Sequence, residues 1–310
     1  MNRATKTSLA LAATGVFTAA IPAPAMANVM ATSDVALKDF IISRGGVQLT
    51  AADFSFLTFT STGSYSGNLV GVGNYFDGSA VVPVNLPPDC VGTGASCVPF
   101  TSFPDTFPHL VAQPVGNYSA ADQHEMGSPI SGIGPVGPAT VASGAFAGLT
   151  TLNTLSSAQA ANTLDASFML VASGSVDLIL KFDAYLQTSI TSEEMNPAFA
   201  TASYQVDYSI VDLATGTTVY TYSPDLFGNG VKTITLDAAL PGDFQLIQDT
   251  GGFVPFSSTT PVLAAGTLYQ LSARAQTNAD VRRNVPEPAT MALVGLGLLG
   301  MILRLRRRGA

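Results

Sequence analysis

The clearest regularity along the chain is an alternation of apolar and polar residues with a period of two. Val176, Leu178, Leu180, Phe182 and Ala184 alternate with Asp177, Ile179, Lys181, Asp183 and Tyr185. Such a run turns the first set to one face of a sheet and most of the polar residues to the other. Tyr204, Val206, Tyr208 and Ile210 repeat the pattern, with Gln205, Asp207 and Ser209 between them. Ala214-Thr215-Gly216-Thr217 then reads as a turn into a strand over 218–222, which predicts a hairpin. Residues 231–236 predict another strand, and Thr267, Tyr269, Leu271, Ala273 and Ala275 the last one. In the first half, Phe54, Phe56 and residues 57–60 predict one strand, and 65–72 a second. Residues 83–140 hold many Pro and Gly and few long apolar runs, so extended loops are expected there, with 127–138 the best linker or loop. Helical crossovers of the kind a parallel sheet needs are not evident. The expected fold is therefore mainly β: an antiparallel β-sandwich with long Pro/Gly-rich loops. One sandwich over 28–284 is preferred, with a sub-boundary somewhere in 127–150 and a separate domain over 28–125 left open.

Both ends depart from this pattern. Arg3 and Lys6 precede an apolar stretch running from Leu9 to Ile21, and Ala25-Met26-Ala27 is a small-x-small cleavage site. Residues 1–27 are thus expected to be a secretory signal peptide, cut after Ala27. At the other end, Pro286-Glu287-Pro288 precedes an apolar run over 289–303 and then Arg304, Arg306, Arg307 and Arg308. A helix through that run spans about 22 Å, short of the roughly 30 Å hydrocarbon core. Leu305 and snorkelling arginines extend it, so a membrane helix over 289–305 is expected. The arginines belong on the cytoplasmic side, which leaves 28–285 exported. Gly295-Leu296-Gly297-Leu298-Leu299-Gly300 matches the dinucleotide-binding pattern, but it has neither a preceding strand nor an acid about 20 positions on. Its glycines fit close helix packing in a bilayer.

The order Pro-Glu-Pro, glycine-punctuated apolar helix and terminal arginine cluster resembles the PEP-CTERM sorting signal of Gram-negative bacteria. The resemblance covers 285–310 alone. It implies transient anchoring in the inner membrane, processing by an exosortase near Pro286-Glu287-Pro288, and passage to the cell surface or extracellular matrix. Bacteria with this system often make exopolysaccharide, which makes that polymer an implied partner. Glu287 is then a recognition residue for another enzyme, with the arginines completing the signal.

Trimming both ends changes the charge. The whole chain carries 13 basic and 21 acidic residues, a net −8. Residues 28–284 carry seven basic and 20 acidic residues, a net −13. That acidity excludes duplex nucleic acid as a partner, because phosphate binding needs clustered Lys and Arg. The only cysteines, Cys90 and Cys97, are expected to close a local loop as a disulfide in an oxidising compartment.

No catalytic constellation stands out. His109 and His124 are the only histidines, and although Asp105, Asp122 and Glu125 lie nearby, both read as solvated loop residues. Gly63-Ser64-Tyr65-Ser66-Gly67 misses the nucleophile-elbow pattern because Tyr65 holds the nucleophile position. Asp177 with Asp183, or Glu193 with Glu194, are available as carboxylate pairs for glycoside cleavage, yet acids at alternating strand positions usually form a solvated face. No D-x-D-x-D-G calcium loop occurs. Tyr185, Tyr220 and Tyr222 offer stacking surfaces to sugar, but read more simply as cross-strand partners. The expectation is a non-enzymatic envelope or matrix protein with no cofactor and no metal. The alternatives are a carbohydrate-binding module on exopolysaccharide and, behind it, a secreted hydrolase.

Overall fold

The computed structural model describes residues 28–79, 85–93, 116–134, 137–151, 154–192, 197–224, 227, 230–238 and 242–283. The first half contributes β1 (Asn28–Arg44), β2 (Val47–Gln48), a short 3₁₀ turn (Ala51–Asp53), β3 (Phe54–Leu69), β4 (Gly73–Ser79), β5 (Asn85–Gly92) and β6 (Tyr118–Met126). Then follow β7 (Ala139–Leu149), β8 (Thr154–Leu170), β9 (Asp177–Ser192), β10 (Ala198–Asp212) and β11 (Thr217–Tyr222). The remaining strands are β12 (Val231–Ala238), β13 (Gly242–Asp249), β14 (Val254–Thr259) and β15 (Tyr269–Arg283).

These strands form two antiparallel sheets packed face to face as a β-sandwich. Sheet I runs β13-β9-β1-β7-β6-β5, with β14 also on β9 and β2 on β1. Sheet II runs β11-β10-β15-β8-β3-β4, with β12 also on β10. Strands from before residue 127 are hydrogen-bonded to later ones in both sheets: β1 to β7 and β9, β3 to β8, β6 to β7. At about 3.3 Å per residue, the 17 residues of β1 and of β8 extend roughly 56 Å.

The alternation of burial along β8, β10 and β15 is nearly unbroken, as their sequence period requires. In β1 the inward set switches from Val29, Ala31, Val35 and Leu37 to Phe40 and Ile42. A bulge at this point shifts the register against both neighbours, and Asp39 takes φ 54° there. Asp39 is also paired with Lys181 at 2.7 Å across the sheet.

Side-chain size divides the interior. Around one end of the sandwich lie Phe40, Tyr208, Phe182, Tyr204, Phe168 and Tyr269, with Phe40–Tyr208 rings 5.0 Å apart and Phe168–Tyr269 rings 5.7 Å apart. Toward the other end the facing residues are small: Ala31, Ala145, Ala147, Ala158, Ala160, Ala200 and Ala279 are all buried. Small side chains let hydroxyls of one sheet reach carbonyls of the other. Ser33 Oγ donates to the Ser203 carbonyl at 2.6 Å, Ser119 Oγ to Ser157 at 2.5 Å, and Ser156 Oγ to Tyr118 at 2.5 Å. Each such bond satisfies a buried polar group that would otherwise oppose folding.

Two expectations change. The stretch 83–140 is not all loop, since it contains β5, β6 and the start of β7. Residues 127–138 connect β6 to its antiparallel neighbour β7, matching the loop expected there. Gly127 starts that connection at φ 72°, where an added Cβ would meet the Pro138 carbonyl oxygen at 2.0 Å. The two strands expected over 54–60 and 65–72 are the single strand β3, followed by β4. Gly67 lies inside β3 because Tyr75 and Ser119 pack over it, leaving a Cβ only 2.2–2.3 Å from their side-chain atoms.

Candidate functional site

The described body begins and ends at one pole of the sandwich. Val29 pairs with Leu149 in sheet I, and Arg283 pairs with Thr154 and Ala198 in sheet II. The Arg283 guanidinium is buried and donates to the Thr150 carbonyl, one residue beyond Leu149. Asn28 and Arg283 therefore lie on either side of the same β7–β8 connection. β15 is also an inner strand of sheet II, flanked by β10 and β8, so the chain leaves the sandwich from inside a sheet.

The opposite pole carries the β10–β11 turn and the β6–β7 connection. Asp212 Oδ1 accepts from the Ala214 and Thr215 amides at 2.8 and 3.3 Å, and Gly216 takes φ 68°, which closes the expected hairpin. A cleft of about 250 Å³ lies here, lined by Gln48, Ile130, Ser131, Ile133, Pro138 and neighbouring glycines. Its lining supplies no side chain able to act as nucleophile, acid or base beyond the Ser131 hydroxyl.

Three buried acids share the outer face of sheet I. Asp34 on β1, Asp122 on β6 and Asp183 on β9 are at most 3% exposed. Gly144 of β7 stands between Asp34 and Asp122 in the ladder. Burial, first, and then the charges of Asp122 and Asp183 push the Asp34 carboxyl well above the usual range. Thr250 donates its hydroxyl to Asp183. The solvated face expected for Asp183 is thus corrected, although Asp177 conforms: it lies at the strand end and accepts from exposed Thr259 at 2.6 Å. A fourth acid, Glu125, points inward and accepts from buried Ser61, and desolvation raises it to about 7. Among the described residues, no group of His, Cys, Asp and Glu forms a set able to hold a metal ion.

The other candidates fall as follows. His124 lies on strand β6, half-buried beside Asp122 on the same face, and not in a loop as expected. Asp177 and Asp183 are six residues apart on one strand, about 20 Å, too far for the roughly 5–9.5 Å that glycoside cleavage uses. Ser64 and Ser66 sit in a straight strand with Tyr65 turned inward against Tyr75, rings 5.8 Å apart, so no nucleophile elbow forms. Tyr220 and Tyr222 pack against the core, Tyr222 opposite Tyr208, and Tyr185 lies on the other sheet with its hydroxyl donated to Gln187. They make no common stacking surface. Cys90 is half-buried against Tyr118, Ala120 and Phe146 on the outer side of sheet I. Ala25, Ala27, Cys97, Asp105, His109, Glu193, Glu194, Pro286, Glu287, Pro288, Arg304, Arg306, Arg307 and Arg308 lie outside the described residues, as does the expected membrane helix.

Sequence reasoning missed the buried acids because Asp34 and Asp122 lie in short polar stretches, Thr32-Ser33-Asp34 and Asp122-Gln123-His124, that carry no sign of burial. The signal available was indirect: Gly144, opposite both, has no side chain and leaves that part of the sheet thin.

Fold and site together define a β-sandwich whose last strand leads straight into a C-terminal sorting segment. That segment, residues 284–308, matches the PEP-CTERM protein-sorting motif and begins immediately after Arg283. The motif is present near the C-terminus, consistent with an exosortase substrate, and it supports export toward the cell surface or extracellular matrix. No curated protein and no solved structure matches the chain.

Proposed function

We propose that the chain is a non-enzymatic protein of the cell envelope or extracellular matrix, delivered by exosortase processing. The supporting observation is the junction at Arg283: the sorting motif starts where β15 ends, and every described strand precedes it. Processing near Pro286-Glu287-Pro288 would remove none of the described strands. In this reading residues 1–27 are a signal peptide cut after Ala27, 28–284 the exported body, and 285–310 a sorting region. The helix over 289–305 spans the inner membrane transiently, and Arg304, Arg306, Arg307 and Arg308 hold its cytoplasmic end. Cys90 pairs with Cys97 in the oxidising compartment and closes the loop after β5. The poles support this orientation, because Asn28 and Arg283 flank one connection and both termini of the body face the membrane together.

The test is expression in strains with and without the exosortase. Surface delivery and a shortened C-terminus are expected only where the exosortase is present. Equal tail length and equal delivery in both strains would refute the proposal. A second reading, a carbohydrate-binding module held on exopolysaccharide, is favoured by the uncharged polar composition of the outer face of sheet II.

A further inference from the structure

The outward surface of sheet II differs from the rest of this acidic protein. Six successive rungs cross β3, β8, β15 and β10, each presenting four outward side chains. One rung is Ser66-Gln159-Asn278-Ser203. Of these 24 positions, 18 are Ser, Thr, Asn or Gln. Only Asp165, Asp207, Asp280 and Arg274 are charged, and only Ala161 and Val211 are apolar. The surface is about 34 Å long and 14 Å wide, from strand rise and strand spacing. Side chains within it are already held: Gln276 donates to Asn278 at 3.5 Å, Asn278 to Ser203 at 3.4 Å, and Gln205 to Asp207 at 2.9 Å.

We infer that this face is an adhesive platform for a neutral, hydroxyl-bearing polysaccharide. The inference rests on the matrix reading above and adds the partner's chemistry and the surface it uses. The face offers a two-dimensional array of uncharged donors and acceptors, which a polyhydroxylated polymer matches with donors and acceptors of its own. Individually weak bonds repeated along one chain add through multivalency. Short side chains fixed by the sheet lose little freedom on contact. Other occupants fit poorly. A protein partner wants an apolar centre with aromatic or arginine anchors, and the rungs have two small apolar residues and one arginine. An anionic polymer meets three acids against one arginine, on a body of net −13. A membrane surface needs basic and apolar residues that this face lacks.

The test uses the purified full-length chain in mild detergent, incubated with dextran or cellulose as neutral probes and alginate as the anionic one. Retention on a neutral probe that persists at 1 M salt (about a 3 Å screening length) is expected, with none on alginate. Gln159→Glu, Gln270→Glu and Gln276→Glu together are isosteric, add three charges to the platform, and should lower retention at least tenfold. Gln245→Glu, an equally isosteric change at an exposed position on β13 of sheet I, should leave it unchanged. Should the triple variant lose thermal stability, Thr60→Glu with Thr62→Glu on exposed β3 positions gives the same readout. Absence of retention on both neutral probes overturns the inference, as does undiminished binding by a folded charged variant, or binding to alginate that salt abolishes. Surface delivery is scored separately in cells: a chain that is delivered but binds no neutral probe defeats this inference alone, whereas exosortase-independent delivery defeats the reading beneath it.

Discussion

Glu125 shows how a single carboxyl makes this sandwich sensitive to pH. Its side chain points between the sheets, accepts from Ser61, and is raised to about 7 by desolvation. An acid raised in the native state favours folding in its protonated form, so its contribution is complete below the unfolded value near 4.5 and is lost as pH rises through 7. Asp34, raised by burial beside Asp122 and Asp183, acts in the same direction. Thermal unfolding should therefore occur at a higher temperature at pH 5 than at pH 8. Glu125→Gln keeps an acceptor for Ser61 and should reduce that difference; an unchanged pH profile would show that Glu125 does not titrate as described. At Gly67 the controlling quantity is space. A methyl there overlaps Tyr75 and Ser119, so Gly67→Ala should cost about 1–3 kcal/mol, read from denaturant midpoints.

At the scale of elements, long strands stand where the sequence alternates cleanly and also where it does not. β9, β10 and β15 follow the period-two runs through Phe182, Tyr208 and Leu271, and these were legible because large apolar residues mark the buried face. β8 was not, because the inward residues of its first half are Ser156, Ala158, Ala160 and Asn162, and Ala-Gln-Ala-Ala carries no strand preference of its own. Its conformation is imposed by β3 and β15 on either side. β6 was hidden in the same way, its Tyr118-Ser119-Ala120-Ala121 run lying beside Pro/Gly-rich sequence. The sorting tail was fully legible, since its recognition depends on local order of residues and not on tertiary contacts. The outer platform of sheet II was not, because neutrality of a face becomes visible only when four strands are set in register. The small inward residues of β8 also make a prediction. Ala160→Leu inserts three carbons at a fully buried position packed against Tyr65 and Ala121 and should destabilise by about 1–3 kcal/mol, measured by urea unfolding. Phe182→Ala in the aromatic half should instead cost about 3–5 kcal/mol through the cavity it leaves.

For the whole molecule, the sandwich is arranged about the exit of its chain. β15 lies between β10 and β8, and its last residue, Arg283, is buried and bonded to the β7–β8 connection. Every described strand thus precedes the PEP-CTERM motif, which begins at residue 284. A chain ending at residue 285 should keep the cooperative unfolding of the full-length protein, whereas one ending at residue 275 removes half of β15 and should not fold, as far-UV circular dichroism will report. The central claim is that the motif delivers an intact sandwich to the surface through exosortase processing. Its most direct test is the intact mass of the surface-recovered protein from cells with and without the exosortase. The account predicts a body shortened at or near Pro286-Glu287-Pro288 only when the enzyme is present. An unshortened protein reaching the surface equally in both strains would contradict it.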